Sequence, residues 1–250
     1  MGRNKGCLWI GTSGWVYKHW LGIFYPPKMP GSQQLPFYAE HFDSVEVNYS
    51  FYRLPPRSVF EGWREQSPQN FLFAVKASRY LTHIKKLKDP EEPLTRLMES
   101  ATGLGDKLGP VLVQVPPRWH VDLERLQGFL QALRAYPGQQ FTMEFRDRSW
   151  LVPEVSEMLK DAGVALCVEV RVNVPLDLTL TAPWTYVRVH GGQHGMGLTE
   201  EELVQWAGRI RAWREQGVDV YVYFNNDPEG WAIYNGRRLQ ELTSATVPSG

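Results

Sequence analysis

The chain has 250 residues with 27 basic and 27 acidic side chains, so its formal net charge at pH 7 is zero. This length allows one large hydrophobic core, and the balanced charge gives no overall positive field of the kind that binds nucleic acid non-specifically. Its two cysteines, Cys7 and Cys167, lack metal-type spacing and indicate a reducing compartment without a disulfide framework. The apolar run at residues 7–10 is too short for a signal peptide or a membrane span, so we expect a cytoplasmic protein with no membrane partner.

Short apolar or alternating segments predict β-strands along the whole chain. The predicted strands are residues 8–12, 44–49, 71–77, 110–115, 141–146, 164–170, 186–190 and 218–224. Segments with helical periodicity lie between them, at residues 33–42, 58–66, 91–107, 123–135, 155–162, 200–216 and 228–242. Residues 171–184 show no clear helix, so the sixth crossover is predicted to be irregular or degenerate.

Local signals mark the beginnings of several predicted helices. Asp122 suits an N-cap, and Thr199 with Glu202 has the pattern of a capping box. Asp227 followed by Pro228 suits the N-cap and the first position of the last helix. Residues 79–88, which follow the third strand, are interpreted as a basic loop, and the lysines at its end as a solvated face.

Strands that alternate with helices favour parallel pairing. Eight such units in 250 residues favour a (β/α)8 barrel of the TIM type over a doubly wound sheet. Since no linker-like or low-complexity stretch divides the sequence, we predict an α/β protein with a single TIM-barrel domain over residues 1–250.

The fifth predicted strand, residues 141–146, alternates apolar side chains with Thr142, Glu144 and Arg146. Successive side chains on a strand point to opposite faces, so this polar set is expected to face the barrel interior at its C-terminal rim, where barrel enzymes carry their sites. The same alternation turns further polar side chains inward: Ser13, Glu46, Asn48, Lys76, Gln114, Glu169, Arg188, His190 and Asn225.

This inward set mixes carboxylates with cations. Buried charges are costly unless they are paired, so one interpretation is an ion-pair network that fills the barrel. Apolar side chains would serve packing at lower cost, and charge clusters in clefts shift the pKa values of their members. We therefore favour a functional site.

Two loops suit an anion. Gly191 and Gly192 begin a glycine-rich loop after the seventh strand, and Asn225 and Asn226 follow the eighth. In TIM barrels these loops commonly bind phosphate, because free backbone N–H groups and a helix dipole favour negative charge there. Glycines that merely permit a tight loop are an equal alternative. Aromatic residues such as Trp15 in the other loops either wall a pocket or, more often, pack the loops.

The leading hypothesis is an enzyme that acts on a small anionic substrate, phosphorylated or carboxylated, by acid/base chemistry at this rim. The catalytic candidates are Glu46, Lys76, Glu144 and His190. The substrate-binding candidates are Ser13, Trp15, Asn48, Gln114, Arg146, Glu169, Arg188, Gly191, Gly192, Asn225 and Asn226.

Two alternatives remain open. One is a metal-dependent phosphodiester enzyme that acts on nucleic acid, with Glu46, Glu144, Glu169 and His190 as ligands. The interleaved cations would repel a divalent ion, so no metal or other cofactor is predicted and nucleic acid is not the favoured partner. The other alternative is a non-catalytic ligand-binding protein.

Seven segments resemble the YecE-like family, catalogued as domain of unknown function 72. They are IGTSGW (10–15), VEVNYSFYRLP (45–55), FAVKASRYLTH (73–83), LGPVLVQVPP (108–117), EFRDRSW (144–150), YVRVHG (186–191) and FNND (224–227). The resemblance implies a TIM-type barrel and no established activity. It also indicates two departures: the loop after the seventh strand is aromatic-rich in many relatives, and Gly236 stands where relatives often carry Ala, which should weaken the last helix by about 1 kcal/mol.

Overall fold

The structure is a computed structural model that describes residues 4–193 and 195–244; His194, in the glycine-rich loop, lies outside the described residues. It contains one sheet of eight parallel strands. The strands are β1 (Leu8–Thr12), β2 (Ser44–Val47), β3 (Leu72–Lys76), β4 (Leu108–Gln114), β5 (Phe141–Glu144), β6 (Ala165–Val170), β7 (Trp184–Val189) and β8 (Asp219–Phe224). Their order is β1-β8-β7-β6-β5-β4-β3-β2. This sequential parallel order confirms the predicted (β/α)8 class.

Helices separate successive strands at all but one crossover. The α-helices are α1 (Gly31–Ala39), α2 (Tyr49–Tyr52), α3 (Arg57–Glu65), α4 (Glu91–Ala101), α5 (Leu123–Leu133), α6 (Pro153–Asp161), α7 (Glu200–Glu215) and α8 (Trp231–Ser244). Among the described residues, none between β6 and β7 is helical, which confirms the degenerate sixth crossover. The described part of the chain contains no helix long and apolar enough to cross a bilayer.

Three local predictions were wrong. Tyr49 is not on β2, because Asn48 already has helical backbone angles (φ −84°, ψ −21°) and Tyr49 begins α2. The predicted basic loop contains a π-helix at Tyr80–Ile84. Asp227 does not cap the last helix with its side chain. Its carboxylate lies 3.3 Å from His19 Nε2 instead, and a 3₁₀ turn at Pro228–Gly230 precedes α8.

Other helix signals hold. The carboxylate of Asp122 accepts a hydrogen bond from Arg125 N at 2.9 Å, so it caps α5 as predicted. Thr199 and Glu202 form the predicted capping box at the start of α7. Each pair satisfies backbone N–H groups that have no partner within the helix, and this sets where the helix begins.

The chain divides into two compact units, each with its own core. The first contains the N-terminal part up to Val45, Val168–Leu178 and the C-terminal part from Pro183, and the second contains Glu46–Cys167 with Thr179–Ala182. A single domain over the whole sequence stays a prediction.

In the first unit β1 pairs with β8 and β8 with β7. Tyr38 of α1 is buried here, and its hydroxyl accepts a hydrogen bond from Thr12 N at 2.8 Å and donates to Ser44 O at 3.1 Å. At Gly11 a Cβ atom would lie 2.0 Å from Ser44 O, so the backbone comes too close for any other residue.

In the second unit β3 pairs with β4 and β4 with β5, and β5 also pairs with the first residues of β6. The buried ammonium of Lys107 donates to Arg64 O at 2.6 Å and Ser67 O at 2.7 Å, which joins the end of α3 to the residues before β4. Since these carbonyls end a helix, a cation is a favourable partner for them.

Candidate functional site

The predicted polar residues lie at the C-terminal ends of their strands. In the second unit Lys76, Gln114 and Glu144 are the last residues of β3, β4 and β5. In the first unit Glu169 and Arg188 are the next-to-last residues of β6 and β7. The predicted strands therefore placed these residues correctly near the strand ends, and that their side chains form one interior site stays a prediction.

Glu144 is the best-supported member of the second unit's polar set. Its side chain is fully buried, and Oε1 accepts hydrogen bonds from Gln114 Nε2 at 2.8 Å and from an Arg146 guanidinium nitrogen at 2.9 Å. The β4–β5 register, which pairs Gln114 with Glu144, brings the amide to the carboxylate. A buried carboxylate needs such partners to offset its lost hydration.

Lys76 is also buried, and its ammonium lies 4.3 Å from the centroid of the Phe51 ring. Phe51 belongs to α2, which is anchored where Ser50 Oγ donates to Lys76 O at 2.6 Å. A desolvated cation over an aromatic face is attracted by the ring quadrupole. Fully buried Glu46 lies on β2 of the same unit. The buried Oδ1 of Asn48 has no hydrogen-bond partner within the described part of the chain.

His83 is a titratable residue of this unit that the sequence interpretation missed. It lies in the π-helix, where its ring contacts the Phe51 ring at a centroid distance of 5.0 Å. Burial lowers the pKa of His83 below its ordinary value, and the positive charges of Lys76 and Arg79 lower it further. The signal was present, because His83 ends the FAVKASRYLTH segment, but the lysines that follow it favoured a solvated face. Short π-helical turns frequently occur at functional sites.

In the first unit His190 is held by three polar neighbours. Its Nδ1 lies 3.0 Å from Asn225 Nδ2, and its Nε2 lies 3.5 Å from an Arg188 guanidinium nitrogen and 3.9 Å from Glu169 Oε1. The bond from His190 N to Val170 O, at 2.8 Å, places the imidazole beside the end of β6. The structure therefore brings together four predicted site residues: Glu169, Arg188, His190 and Asn225.

A cavity of about 550 Å³ opens next to this group, within the first unit. Its walls come from the residues after β6, the loop after β7 and one face of α7, and they include Glu169, Arg171, Asn173, Gly191, Gly192 and Arg209. Arg171 lies 3.5 Å from Glu169 Oε1. The volume falls in the range of small-molecule sites.

The glycine-rich loop already holds a carboxylate of the chain itself. Glu202 accepts hydrogen bonds from Gln193 N and Thr199 N, both at 2.7 Å. At Gly192 a Cβ atom would lie 2.6 Å from both Gly197 O and Glu202 Oε2, so this position requires glycine because the Gly197 backbone comes too close. Two N–H groups expected to meet an external anion are thus engaged internally.

Three further candidates have structural partners. Asn226 is buried, and its Nδ2 donates to Met196 O at 2.7 Å and to Asn235 Oδ1 at 3.0 Å, which fastens the loop to α8. Ser13 N donates to Phe224 O at 2.9 Å, and Trp15 O accepts from Tyr25 OH at 2.6 Å. Both Ser13 and Trp15 are buried, and their backbone hydrogen bonds hold the loop after β1 in place. Their binding roles stay predictions.

The model of the family described as "Protein of unknown function DUF72" matches residues 9–249. The protein YunF of Bacillus subtilis is 30% identical over an alignment 269 residues long, which covers 94% of this chain and 94% of YunF. The protein YecE of Escherichia coli is 27% identical over 162 residues, covering 63% of this chain and 55% of YecE.

Solved structures agree with the fold. A DUF72 family protein from Thermotoga maritima has a TM-score of 0.84 at 26% identity, covering 96% of this chain and all of the other. D-psicose 3-epimerase from Clostridium cellulolyticum, with a TM-score of 0.60 at 12% identity over 93% of this chain and 97% of its own, shares the fold alone. With a family model that spans nearly its full length and YunF at 30% identity, this chain belongs to the DUF72 family.

Proposed function

We propose that this chain is an enzyme that moves a proton on a small anionic substrate bound in the cavity beside Glu169. The observation that carries the proposal is the position of Glu169, which lines the 550 Å³ cavity and whose carboxylate lies 3.9 Å from His190 Nε2. A carboxylate and an imidazole at this separation, largely shielded from water, are groups suited to general acid/base catalysis. Catalysis of this kind typically contributes about 10²- to 10⁴-fold in rate.

The cavity also has the charge to hold an anion. Arg171 and Arg209 line it, and the guanidinium of Arg209 lies 4.8 Å from the Trp206 ring, which fixes its plane. The other carboxylate in the wall, Glu202, is engaged by the backbone N–H groups of Gln193 and Thr199. Guanidinium groups bind carboxylates and phosphates through paired hydrogen bonds, so a phosphorylated or carboxylated substrate suits this cavity.

The contacts of His190 support a transfer of the substrate proton to Glu169. The Asn225 amide nitrogen, 3.0 Å from Nδ1, and the Glu169 carboxylate, 3.9 Å from Nε2, suit an imidazole that accepts at Nδ1 and donates from Nε2. Glu169 then accepts a proton from the substrate, and the Nε2 proton stabilises the charge on the carboxylate before transfer.

Hydrogen exchange tests the proposal without requiring the full reaction to be known. Panels of sugar phosphates and sugar acids are incubated with the enzyme in D₂O, and deuterium uptake at substrate C–H positions is followed by NMR. We expect uptake with the native chain, a loss of at least 100-fold in Glu169→Gln, and a raised KM in Arg209→Gln.

The exposed Lys160→Gln variant on α6 serves as the matched control and should exchange at the native rate. Unchanged exchange in a folded Glu169→Gln variant would refute the proposal. Saturable binding of these compounds without exchange in any variant would instead identify a ligand-binding protein.

A further inference from the structure

The second unit carries an exposed surface of aromatic and basic side chains that the proposed function does not use. It consists of residues 49–53, which are α2 and Arg53, and residues 79–88, which are the π-helix with its flanking residues. We call it the aromatic–basic surface. The two segments touch through the Phe51 and His83 rings, whose centroids are 5.0 Å apart.

Its aromatic side chains are unusually open to solvent. Tyr52 is 79% exposed, Tyr49 is 55% exposed and Tyr80 is 48% exposed. The Tyr52 ring also packs edge-to-face with the Phe51 ring, and the two centroids are 5.1 Å apart. Large aromatic groups that share one exposed area mark interaction sites more often than single exposed residues do.

The charge of this surface has one sign. Residues 49–53 and 79–88 contain five lysines and arginines and no aspartate or glutamate. Arg53, Arg79 and Lys86 are exposed, whereas Lys85 is paired with Asp89 at 3.4 Å. The whole chain has zero net charge, so this segment concentrates positive charge locally. The pKa of His83 is lowered, first by burial and then by the positive charges of Lys76 and Arg79, as expected where the local potential is positive.

From this combination we infer that the aromatic–basic surface binds single-stranded nucleic acid. Exposed tyrosine rings offer faces on which unpaired bases stack, and the arginine and lysine side chains between them meet the phosphates. A duplex hides the faces of its bases, so it can use only the charges. An acidic protein or a lipid surface also meets the charges, but neither supplies a series of flat bases that can stack on exposed tyrosine rings.

Fluorescence anisotropy with labelled 12-nucleotide dT and rA strands, and with a duplex of equal length, tests the inference. We expect the single strands to bind more tightly than the duplex, with an affinity that falls as salt rises. The Tyr52→Ala and Tyr80→Ala substitutions should each weaken binding by about tenfold, because each removes one stacking face. The Arg53→Gln and Lys86→Gln double variant should flatten the slope of log affinity against log salt by about 0.7 for each cation that contacts phosphate.

Matched controls come from α8, where Tyr234 is 57% exposed and Arg237 is exposed. Tyr234→Ala and Arg237→Gln should leave binding unchanged, and circular dichroism should show that every variant is folded. Duplex binding as tight as single-strand binding, combined with no effect of the tyrosine substitutions, would overturn the inference. So would an absence of binding at 0.1 M salt, or binding to phosphatidylserine vesicles without binding to either oligonucleotide.

Discussion

The carboxylate of Glu144 and the guanidinium of Arg146 lie 2.9 Å apart, although the two residues are only two positions from each other in the chain. Glu144 is the last residue of β5 and is fully buried, whereas the Arg146 side chain is partly exposed. The strand ends between them, so the arginine can turn back over the carboxylate and remain hydrated on its other side. The pair therefore places a negative charge in the interior without separating its partner from water.

Removal of this carboxylate should be strongly destabilising. Glu144→Ala leaves the Arg146 guanidinium and the Gln114 amide without their shared acceptor, and loss of one partner of a buried pair costs about 3–5 kcal/mol. The exposed pair Arg57–Glu61, also at 2.9 Å, is the matched control, and Arg57→Gln should cost less than about 1 kcal/mol. Urea unfolding of both variants gives the comparison. Equal losses would show that burial does not strengthen the dependence of the fold on Glu144.

The strand pattern predicted where these polar residues lie relative to the strand ends, because short apolar and alternating segments locate the strands in the sequence. Glu144, Lys76 and Arg188 needed no tertiary information to be placed at strand ends. His83 was missed because a π-helix has no simple sequence period, and its neighbouring lysines carried the stronger signal. The bond from Gln193 N to Glu202 was missed for a different reason: a carboxylate that reaches from a helix to the preceding loop is a tertiary contact, which the capping-box pattern of Thr199 and Glu202 does not encode.

The carboxyl group of Asp43 should add to the free energy of unfolding in mild acid, and this contribution should be lost at neutral pH. Its Oδ1 accepts a hydrogen bond from Ile10 N at 3.0 Å, and burial raises its pKa to about 6 from an ordinary value of 3.8. The folded state therefore holds this proton more tightly than the unfolded state. The resulting stabilisation is complete below pH 3.8 and is lost as the pH rises to about 6.

The Asp43→Asn variant isolates this contribution, because the amide oxygen still accepts from Ile10 N and carries no charge. At pH 7.5 we expect the variant to exceed the native chain in unfolding free energy by about 2–3 kcal/mol. At pH 4 the two should be nearly equal. Urea titrations at both pH values provide the measurement, and a difference that does not change with pH would contradict the assignment.

Gly236 is explained by packing rather than by helix propensity. In the interior of α8, a Cβ atom at this position would lie 2.9 Å from Cε1 and 3.3 Å from Cζ of the Phe42 ring. That ring is buried and stacks on Tyr38 at 4.9 Å, so it has little room to move. Glycine lowers the helix propensity at this position, but the Phe42 ring occupies the space that the methyl group of alanine would need.

Gly236→Ala should therefore lower the unfolding free energy by about 1–3 kcal/mol despite the better helix propensity of alanine. Gly128 in α5 supplies the control, since a Cβ atom there meets nothing within 4 Å. Gly128→Ala should stabilise the protein by about 0.5–1 kcal/mol. Thermal unfolding of the two variants measures both effects, and a gain of stability in both would show that Phe42 moves aside freely.

Glu202 occupies the position that an external anion would take at the glycine-rich loop. Its two carboxylate oxygens accept from Gln193 N and Thr199 N, each at 2.7 Å, so removing the side chain uncovers one backbone donor in the loop and one at the N-cap of α7. Glu202→Ala should lose about 1 kcal/mol of stability with its cap, and sulfate near 10 mM should restore part of that loss.

The native chain should show no such response beyond a sodium chloride control of equal ionic strength. Thr199→Ala removes the other half of the capping box but leaves the carboxylate in place. It should therefore be destabilised to a similar degree without recovering in sulfate. Melting temperatures measured against sulfate concentration separate the two variants, and an equal response from both would mean that the loop's donors play no part. A response of Glu202→Ala alone would show that the loop is built as an anion site whose natural occupant is the chain's own carboxylate.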